Sequence, residues 1–187
     1  VVGAGMMGKT HCEAYAKMED VRLVAVVDIN ENGAKIAGEF NTKYYSAIEE
    51  LADGEVDIID ICLPTFLHAE SIKKASGICK NILCEKPIAL SLQEVDELRL
   101  LVESKKLIFM VAHVLRFWNG YVKARELVNQ GILGSVESVV CLRRQKMPAW
   151  SSNNWLGNQK NSGGPTYDLL IHDLDYIAWL LGKPDYV

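Results

Sequence analysis

Three residues of this chain have side chains that can move a proton or stabilise charge at a reacting group: Lys86, Asp168 and His172. Lys86 follows a short strand-like run, and ligands of open α/β sheets bind beyond the carboxyl ends of the strands. An ammonium group there would stabilise a developing alkoxide. Asp168 and His172 are four positions apart, so a helix would place both on one face, where the imidazole can act as a base near neutral pH. These residue types predict proton transfer at an alcohol or carbonyl group.

Each of these motifs also has a plainer interpretation. Glu85 and Lys86 could form a surface salt bridge, and His172 could be an incidental member of a polar helix face. Asp168 and His172 could also share a metal ion, because helical spacing brings the two side chains together. We do not expect a metal site, because no further histidine or cysteine cluster accompanies them in the sequence.

Residues 3–8 have the spacing G-x-G-x-x-G, after two valines and before a helical stretch. In a phosphate-binding turn the first glycine permits the tight turn, the second lets the backbone approach a pyrophosphate, and the third lets helix and strand pack closely. Asp28 follows about 20 positions later, where a carboxylate is expected to bind a ribose 2′-hydroxyl and to repel a 2′-phosphate. The pattern favours NAD over NADP; the alternative is a glycine-rich turn beside a surface aspartate. The predicted cofactor contacts here are Gly3, Gly5, Met6, Met7, Gly8 and Asp28.

Short β-branched runs alternate with helical stretches through the first half of the chain. This alternation predicts βαβ units, and hence an α/β fold with a doubly wound parallel sheet. Ser91 and Glu94 form a capping box at the start of the last of these helices. The predicted strands are Val1–Val2, Leu23–Val27, Asp57–Leu63, Asn81–Cys84 and Leu107–Ala112, and the predicted helices are 8–19, 32–40, 46–53, 67–76 and 91–105.

The second half of the chain has a different pattern. We expect a helix over 118–130, one strand over 136–146, a long loop over 147–165 and a helix over 165–181. The change of pattern predicts one domain over 1–113 and the beginning of a second over 114–187. Because a strand usually needs about 5–6 residues, we expect the sequence to begin within its first strand and to end within the second domain.

The composition suits a globular protein with a substantial core, with 49% hydrophobic and 24% charged residues. The net charge of -4 offers no basic surface to nucleic acid. No apolar run approaches the roughly 20 residues that span a bilayer, and no secretory signal is recognisable. The five cysteines form no C-x-x-C pair, so we expect reduced thiols and a cytoplasmic location.

Together these motifs resemble the glucose–fructose oxidoreductase, inositol dehydrogenase and rhizopine catabolism family (Gfo/Idh/MocA), over essentially the whole chain. The Glu-Lys-Pro turn and the helix with Asp168 and His172 carry most of the specificity. The segment 77–80 departs from the Ala-Gly-Lys that family members often carry before the strand leading to that turn. The matching segments are GAGMMG at 3–8, Asp28, LPTFLH at 63–68, CEKP at 84–87, VLRF at 114–117 and SGGPTYDLLIHDLD at 162–175.

The resemblance implies an N-terminal Rossmann domain that binds NAD. It also implies a C-terminal α/β domain whose open, mostly antiparallel sheet builds a homodimer or homotetramer. Lys86, Asp168 and His172 would be the catalytic trio and would also contact the substrate. The remaining assignments are the cofactor contacts Pro64, Thr65, His68, Glu85 (near the nicotinamide ribose) and Lys86, and the looser substrate-pocket candidates Arg116 and Trp155.

The resulting hypothesis is hydride transfer between NAD and a secondary alcohol of a sugar, inositol or related polyol. His172 would accept the hydroxyl proton, Lys86 would polarise the oxygen, and Asp168 would orient His172 or bind a neighbouring hydroxyl. The sequence leaves open which of Lys86 and His172 removes the proton. One alternative is a glycosidase that uses NAD transiently, and another is a non-catalytic dinucleotide sensor, which we would expect to have lost Lys86 or His172.

Overall fold

The structure, a computed structural model, describes residues 1–144, 146 and 151–186. Its sheet is wholly parallel where strands pair, which confirms the predicted α/β fold. Val2 forms parallel bridges to Val27 and Ile61 and so joins the two halves of the sheet. The strands are β1 Ala25–Val27, β2 Lys43–Tyr45, β3 Ile59–Ile61, β4 Asn81–Cys84 and β5 Ile108–Val111. Their order across the sheet is β2, β1, Val2, β3, β4, β5.

Helices follow the strands, as the alternation predicts. The helix Leu92–Lys105 begins at the predicted cap, where Ser91 Oγ accepts the backbone N–H of Glu94 at 3.2 Å. No helix among the described residues combines the length and hydropathy that a bilayer span requires. The α-helices are α1 Met6–Tyr15, α2 Glu31–Glu39, α3 His68–Ala75, α4 Leu92–Lys105, α5 Asn119–Asn129, α6 Gln159–Ser162 and α7 Ile171–Leu181. Shorter turns of 3₁₀-helix lie at Ile48–Glu50, Thr65–Leu67, Val114–Phe117 and Ser152–Gly157, and a π-helical turn at Thr166–Leu170 leads into α7.

The core lies on both faces of the sheet. Along β1, Val26 points to one face and its two neighbours point to the other, as the pleat of a strand requires. One face is covered by α1 and α2 through Cys12 and Ile36. The other is covered by α3 and α4, where Ile72 and Leu98 are almost fully buried. Covering both faces forces the polar groups of the site to the ends of the strands.

Three sequence predictions differ from the structure. The strand β2 was not predicted, because its alternating pattern is short and mostly exposed. The helix predicted over 46–53 is wrong, since that stretch holds only the 3₁₀ turn at Ile48–Glu50. The strand predicted over 136–146 does not form in its described part, 136–144 and 146, because no neighbouring strand supplies the hydrogen bonds of a ladder.

The long loop predicted over 147–165 is also partly structured. Residues 147–150 lie outside the described residues, but the remainder contains the turn Ser152–Gly157 and the short helix α6. The strands that the structure describes are all parallel, so the implied antiparallel sheet of the second domain is not seen among the described residues.

Candidate active site

A cavity of about 1730 Å³ follows the carboxyl ends of the strands. Pockets for one small molecule are commonly about 300–1,000 Å³, so this cavity has room for a dinucleotide and a second ligand. Its walls combine the loops after the strands with residues from the last helical segment. Among the predicted site residues, it is lined by Gly3, Gly5, Met6, Met7, Asp28, Pro64, Thr65, Glu85, Lys86, Trp155, Asp168 and His172.

The glycine turn at one end of this cavity has the geometry that a pyrophosphate needs. Gly3 has a φ of +98°, a backbone conformation that side-chain-bearing residues rarely adopt. A Cβ on Gly8 would lie 1.8 Å from the carbonyl oxygen of Gly3, so only glycine allows α1 to begin this close to the strand. A Cβ on Gly5 would meet nothing within 4 Å and would project into open space. The turn therefore leaves room beside Gly5 for phosphate at the start of α1.

Asp28 lies directly beside this turn. Its Oδ2 accepts the backbone N–H of Ala4 at 2.7 Å, and its Oδ1 accepts that of Asn30 at 2.8 Å. These bonds hold the carboxylate at the cavity wall, while each oxygen keeps a further lone pair for a hydroxyl donor. Further along, Thr65 is only 2% exposed, and its Oγ1 has no hydrogen-bond partner among the described residues. The donor and acceptor set fits a dinucleotide with a free 2′-hydroxyl.

Lys86 and Asp168 meet across the cavity. Lys86 Nζ lies 3.0 Å from Asp168 Oδ1 and donates to the backbone oxygen of the same residue at 2.6 Å. The two side chains are only 15% and 25% exposed. Lys86 therefore does not form the alternative surface salt bridge with Glu85, whose carboxylate instead accepts the backbone N–H of Lys86 at 3.0 Å. The peptide bond between Lys86 and Pro87 is cis.

His172 lies on the same cavity and is held in its neutral form. Burial, and then the positive charges of Lys86 and Arg143, lower the pKa of His172 to about 4. Its Nδ1 is buried with no hydrogen-bond partner among the described residues. Burial and the neighbouring cations thus keep the imidazole neutral near pH 7, so one of its ring nitrogens has a lone pair for a hydroxyl group.

Asp168 does not orient His172 in this structure. No hydrogen bond joins the two side chains among the described contacts, and Asp168 contacts Lys86 instead. Asp168 belongs to the π-helical turn Thr166–Leu170, whereas His172 lies in α7. Because the π-turn changes the angle between successive residues, the spacing of four no longer means that both side chains share an α-helical face.

Three predicted site residues lie away from the cavity wall. Gly8 is buried behind the turn, against Gly3. His68 is 1% exposed, and its two ring nitrogens lie 2.8 Å from the oxygen of Pro87 and 2.7 Å from that of Leu63, so it braces the loops rather than facing a ligand.

Arg116 is the third residue away from the wall. It forms a bidentate ion pair with Asp175, with Nε 2.9 Å from Oδ2 and Nη2 2.6 Å from Oδ1. It also lines a second, small pocket. This pair links the turn Val114–Phe117 to α7. In this arrangement the Arg116 guanidinium supports the helix that carries His172, and Trp155 is the looser candidate that lines the large cavity.

The sequence analysis missed a network of polar groups at the wall of the cavity, where His11, Tyr15, Cys62 and Glu85 all line it. His11 Nδ1 lies 2.8 Å from Asp60 Oδ2 and 3.3 Å from the sulfur of Cys62, and its Nε2 lies 3.3 Å from Glu85 Oε1. Tyr15 donates a hydrogen bond to the same oxygen of Asp60 at 2.7 Å. Asp60 is the signal that could have revealed the network, because a charged residue inside a strand buried on both faces needs a partner.

The charge state of this network follows from its contacts. Burial opposes the charged form of His11, but its hydrogen bonds to Asp60, Cys62 and Glu85 raise its pKa to about 12. Burial raises the pKa of the Cys62 thiol to about 12, so this sulfur stays protonated. His11, Asp60 and Cys62 are close enough together to hold a metal ion. A doubly protonated imidazole has no lone pair for a metal, and a protonated thiol is a far poorer ligand than a thiolate, so hydrogen bonds are sufficient to account for the cluster.

Comparisons with known proteins agree with these features. The model of the Gfo/Idh/MocA oxidoreductase family, NAD-binding Rossmann fold, matches residues 1–113, and that of the family's C-terminal domain matches residues 121–187. An inositol 2-dehydrogenase from Rhizobium meliloti is 36% identical over 98% of this chain and 54% of its own length. A 2,7-anhydro-N-acetylneuraminate hydratase from Mediterraneibacter gnavus is 34% identical over 97% of this chain and 48% of its own length.

Solved structures give the same picture. A myo-inositol dehydrogenase from Corynebacterium glutamicum superimposes with a TM-score of 0.84 at 26% identity, covering 97% of this chain and 54% of that one. The chain thus spans about half the length of the relatives it matches.

Proposed function

Because the chain belongs to the Gfo/Idh/MocA oxidoreductase family, we propose that the protein is an NAD-dependent dehydrogenase of sugars, inositols or related polyols. It would transfer a hydride between a secondary alcohol and the nicotinamide ring. One observation carries this proposal: the ammonium group of Lys86, 3.0 Å from Asp168, and the neutral imidazole of His172 line the cavity that also contains the glycine turn. The inositol 2-dehydrogenase relative supports the substrate class.

The residues have separate roles in this proposal. His172 accepts the hydroxyl proton, because the neutral imidazole has a ring nitrogen with a lone pair to take it. Lys86 stabilises the negative charge that develops on the oxygen, and Asp168 fixes the Lys86 ammonium group by two contacts. NAD supplies the ring that takes the hydride, and the protein positions it. Glu85 at the cavity wall would face the nicotinamide ribose.

We also infer the wider organisation of the protein. Residues 1–113 would form the NAD-binding domain and 114–187 the beginning of a substrate domain. The exposed apolar side chains of Val140 and Leu142, 78% and 74% exposed, support a strand that completes an antiparallel sheet with other parts of the full-length protein. That sheet would form a homodimer or homotetramer. The free cysteines support a cytoplasmic location.

A second candidate is a reaction without net oxidation. The observation that favours it is the similarity to 2,7-anhydro-N-acetylneuraminate hydratases, which are 34% and 31% identical to this chain. The set of residues at the site suits both reactions, because either needs a base and a cation beside the cofactor. An NAD-using glycosidase would fall into the same class.

A substrate panel separates the two candidates. The full-length protein is mixed with NAD and with inositols, hexoses and anhydrosugars, and NADH is followed by absorbance while products are identified by mass spectrometry. A dehydrogenase forms one NADH for each alcohol oxidised. Product without NADH would support the redox-neutral candidate, and NADH binding without any product would leave only a dinucleotide sensor.

A further inference from the structure

His11 lies between two carboxylates that belong to different strands. On one side its Nδ1 contacts Asp60 of β3 at 2.8 Å, and on the other its Nε2 contacts Glu85, just beyond β4, at 3.3 Å. The imidazole is 18% exposed and the two carboxylates 5% and 12%. A doubly protonated ring directs an N–H toward each carboxylate, and two acidic neighbours favour this cationic form.

The two carboxylates differ in what else they contact. Asp60 is 3% exposed and also accepts a hydrogen bond from Tyr15, so it is fixed within the core. Glu85 has one oxygen facing His11 and the other accepting the backbone N–H of Lys86. Glu85 lines the cavity, as do His11 and Tyr15, whereas Asp60 does not. His11 therefore links the buried carboxylate of Asp60 to the carboxylate of Glu85 at the cavity wall.

The position of His11 in α1 also connects these carboxylates to the glycine turn. His11 lies three residues after Gly8, one turn into the helix whose first residues form the phosphate-binding turn. The cation thus connects the helix beside the phosphates to the Glu-Lys-Pro turn beside the reacting groups. The other titratable groups near it are Tyr15, Cys62 and Cys12.

We propose that His11 is a positioning residue that acts through Glu85. As an imidazolium it ties Glu85 to Asp60, and this holds the Glu85 carboxylate, and with it the Lys86 backbone, in the orientation that binds the dinucleotide. The inference rests on the proposed function only in that NAD occupies the cavity. His11 itself transfers no proton in the reaction.

A double-mutant cycle on NADH affinity, read by fluorescence without substrate, tests the link. We expect His11→Gln and Glu85→Gln each to weaken NADH binding about tenfold, since each removes the charge contact between the imidazolium and the Glu85 carboxylate. The double variant should bind no more weakly than either single variant, because the two residues act as one unit. A double variant weakened about a hundredfold would show independent action and overturn the proposal, as would an unchanged affinity in folded His11→Gln.

His113→Gln is the matched control. His113 also faces a carboxylate, with Nε2 3.7 Å from Asp175, but it lines the neighbouring small pocket and is not among the residues that line the large cavity. We expect its substitution to leave NADH affinity unchanged. A loss in this variant equal to that in His11→Gln would mean that removing any partly buried histidine has the same effect, and would overturn the specific role of His11.

A second measurement avoids replacing His11 at all. In ¹⁵N-resolved NMR spectra at pH 8, His11 should keep protons on both ring nitrogens, and in Glu85→Gln its pKa should fall. A neutral His11 in the unaltered protein, or a pKa insensitive to Glu85, would overturn the proposal. Both measurements are made without an alcohol. A protein that binds NADH but oxidises no polyol would therefore contradict the proposed dehydrogenase and leave this test intact.

Discussion

Lys86 Nζ and Asp168 Oδ1 are 3.0 Å apart, although 82 positions separate the two residues in the chain. The contact joins the Glu-Lys-Pro turn to the π-helical turn before α7, and it lies on the cavity that His172 also lines. Because both side chains are mostly shielded from water, their attraction is screened less than that of a surface pair. The position of the ammonium group is thus fixed before a substrate arrives.

Replacing the side chain of Lys86 or His172 should greatly reduce turnover but leave cofactor binding nearly unchanged. We expect Lys86→Ala and His172→Ala each to lower kcat about 10²–10⁴-fold, the range for losing a positioned acid–base group. NADH affinity, measured by fluorescence, should change little. Lys73→Met removes an exposed lysine paired with Glu97 and serves as the control with normal turnover. Normal turnover in either alanine variant would contradict the assignment.

The charge of Lys86 should be measurable in the titration of His172. Burial is the main cause of the low pKa of His172, and Lys86 is the next. Removing a neighbouring positive charge favours the protonated imidazole, so Lys86→Met should raise the pKa of His172 from about 4 toward 6.5. NMR titration of the His172 ring signals gives both values. A pKa near 6.5 in the unaltered protein would show that the ring is not held neutral by this site.

Two glycine substitutions should separate folding from cofactor binding. Gly8→Ala forces a Cβ toward the oxygen of Gly3 and should destabilise the protein by about 1–3 kcal/mol, as overpacking does. Gly5→Ala adds a Cβ that meets no protein atom, so the melting temperature should hold while NADH affinity falls. Gly38→Ala, at an open position of α2, is the control for both measurements. Full NADH affinity in Gly5→Ala would place the pyrophosphate elsewhere.

Asp28 should decide between NAD and NADP. Its carboxylate is fixed beside the glycine turn by backbone donors, where it would repel a 2′-phosphate. We expect the protein to prefer NAD. Asp28→Asn should lower the ratio of kcat/KM with NAD to kcat/KM with NADP about tenfold, because it removes the negative charge. Asp53→Asn, at an exposed position away from the cavity, should leave the ratio unchanged. An unchanged ratio in Asp28→Asn would mean that another group selects the cofactor.

Local patterns were sufficient to predict the elements that pack within this chain. The capping box at Ser91, the apolar strands and the glycine turn each depend on a few neighbouring residues, and the structure contains all of them. The strand predicted over 136–146 is different, because its formation depends on residues that are distant in the sequence. A strand needs a partner, and none of the described residues pairs with 136–144.

The partners within the site were harder to predict from sequence. Spacing suggested that Asp168 would serve His172, but the π-turn and the distant Lys86 determine its contact. His11 gave no signal of its own, because its partners Asp60 and Glu85 lie 49 and 74 positions away. Such contacts depend on tertiary packing, and only the buried charge of Asp60 within an apolar strand indicated that one must exist.

The cavity is lined by two stretches of the sequence with different proposed roles. The proposed dinucleotide contacts all come from residues before Pro87, whereas Trp155, Asp168 and His172 come from the later stretch. Under the proposed function, mutations in the later stretch would therefore change substrate selectivity without altering the residues that bind the cofactor. Homologues that keep Lys86 and differ in the residues opposite it would then act on different substrates with the same cofactor.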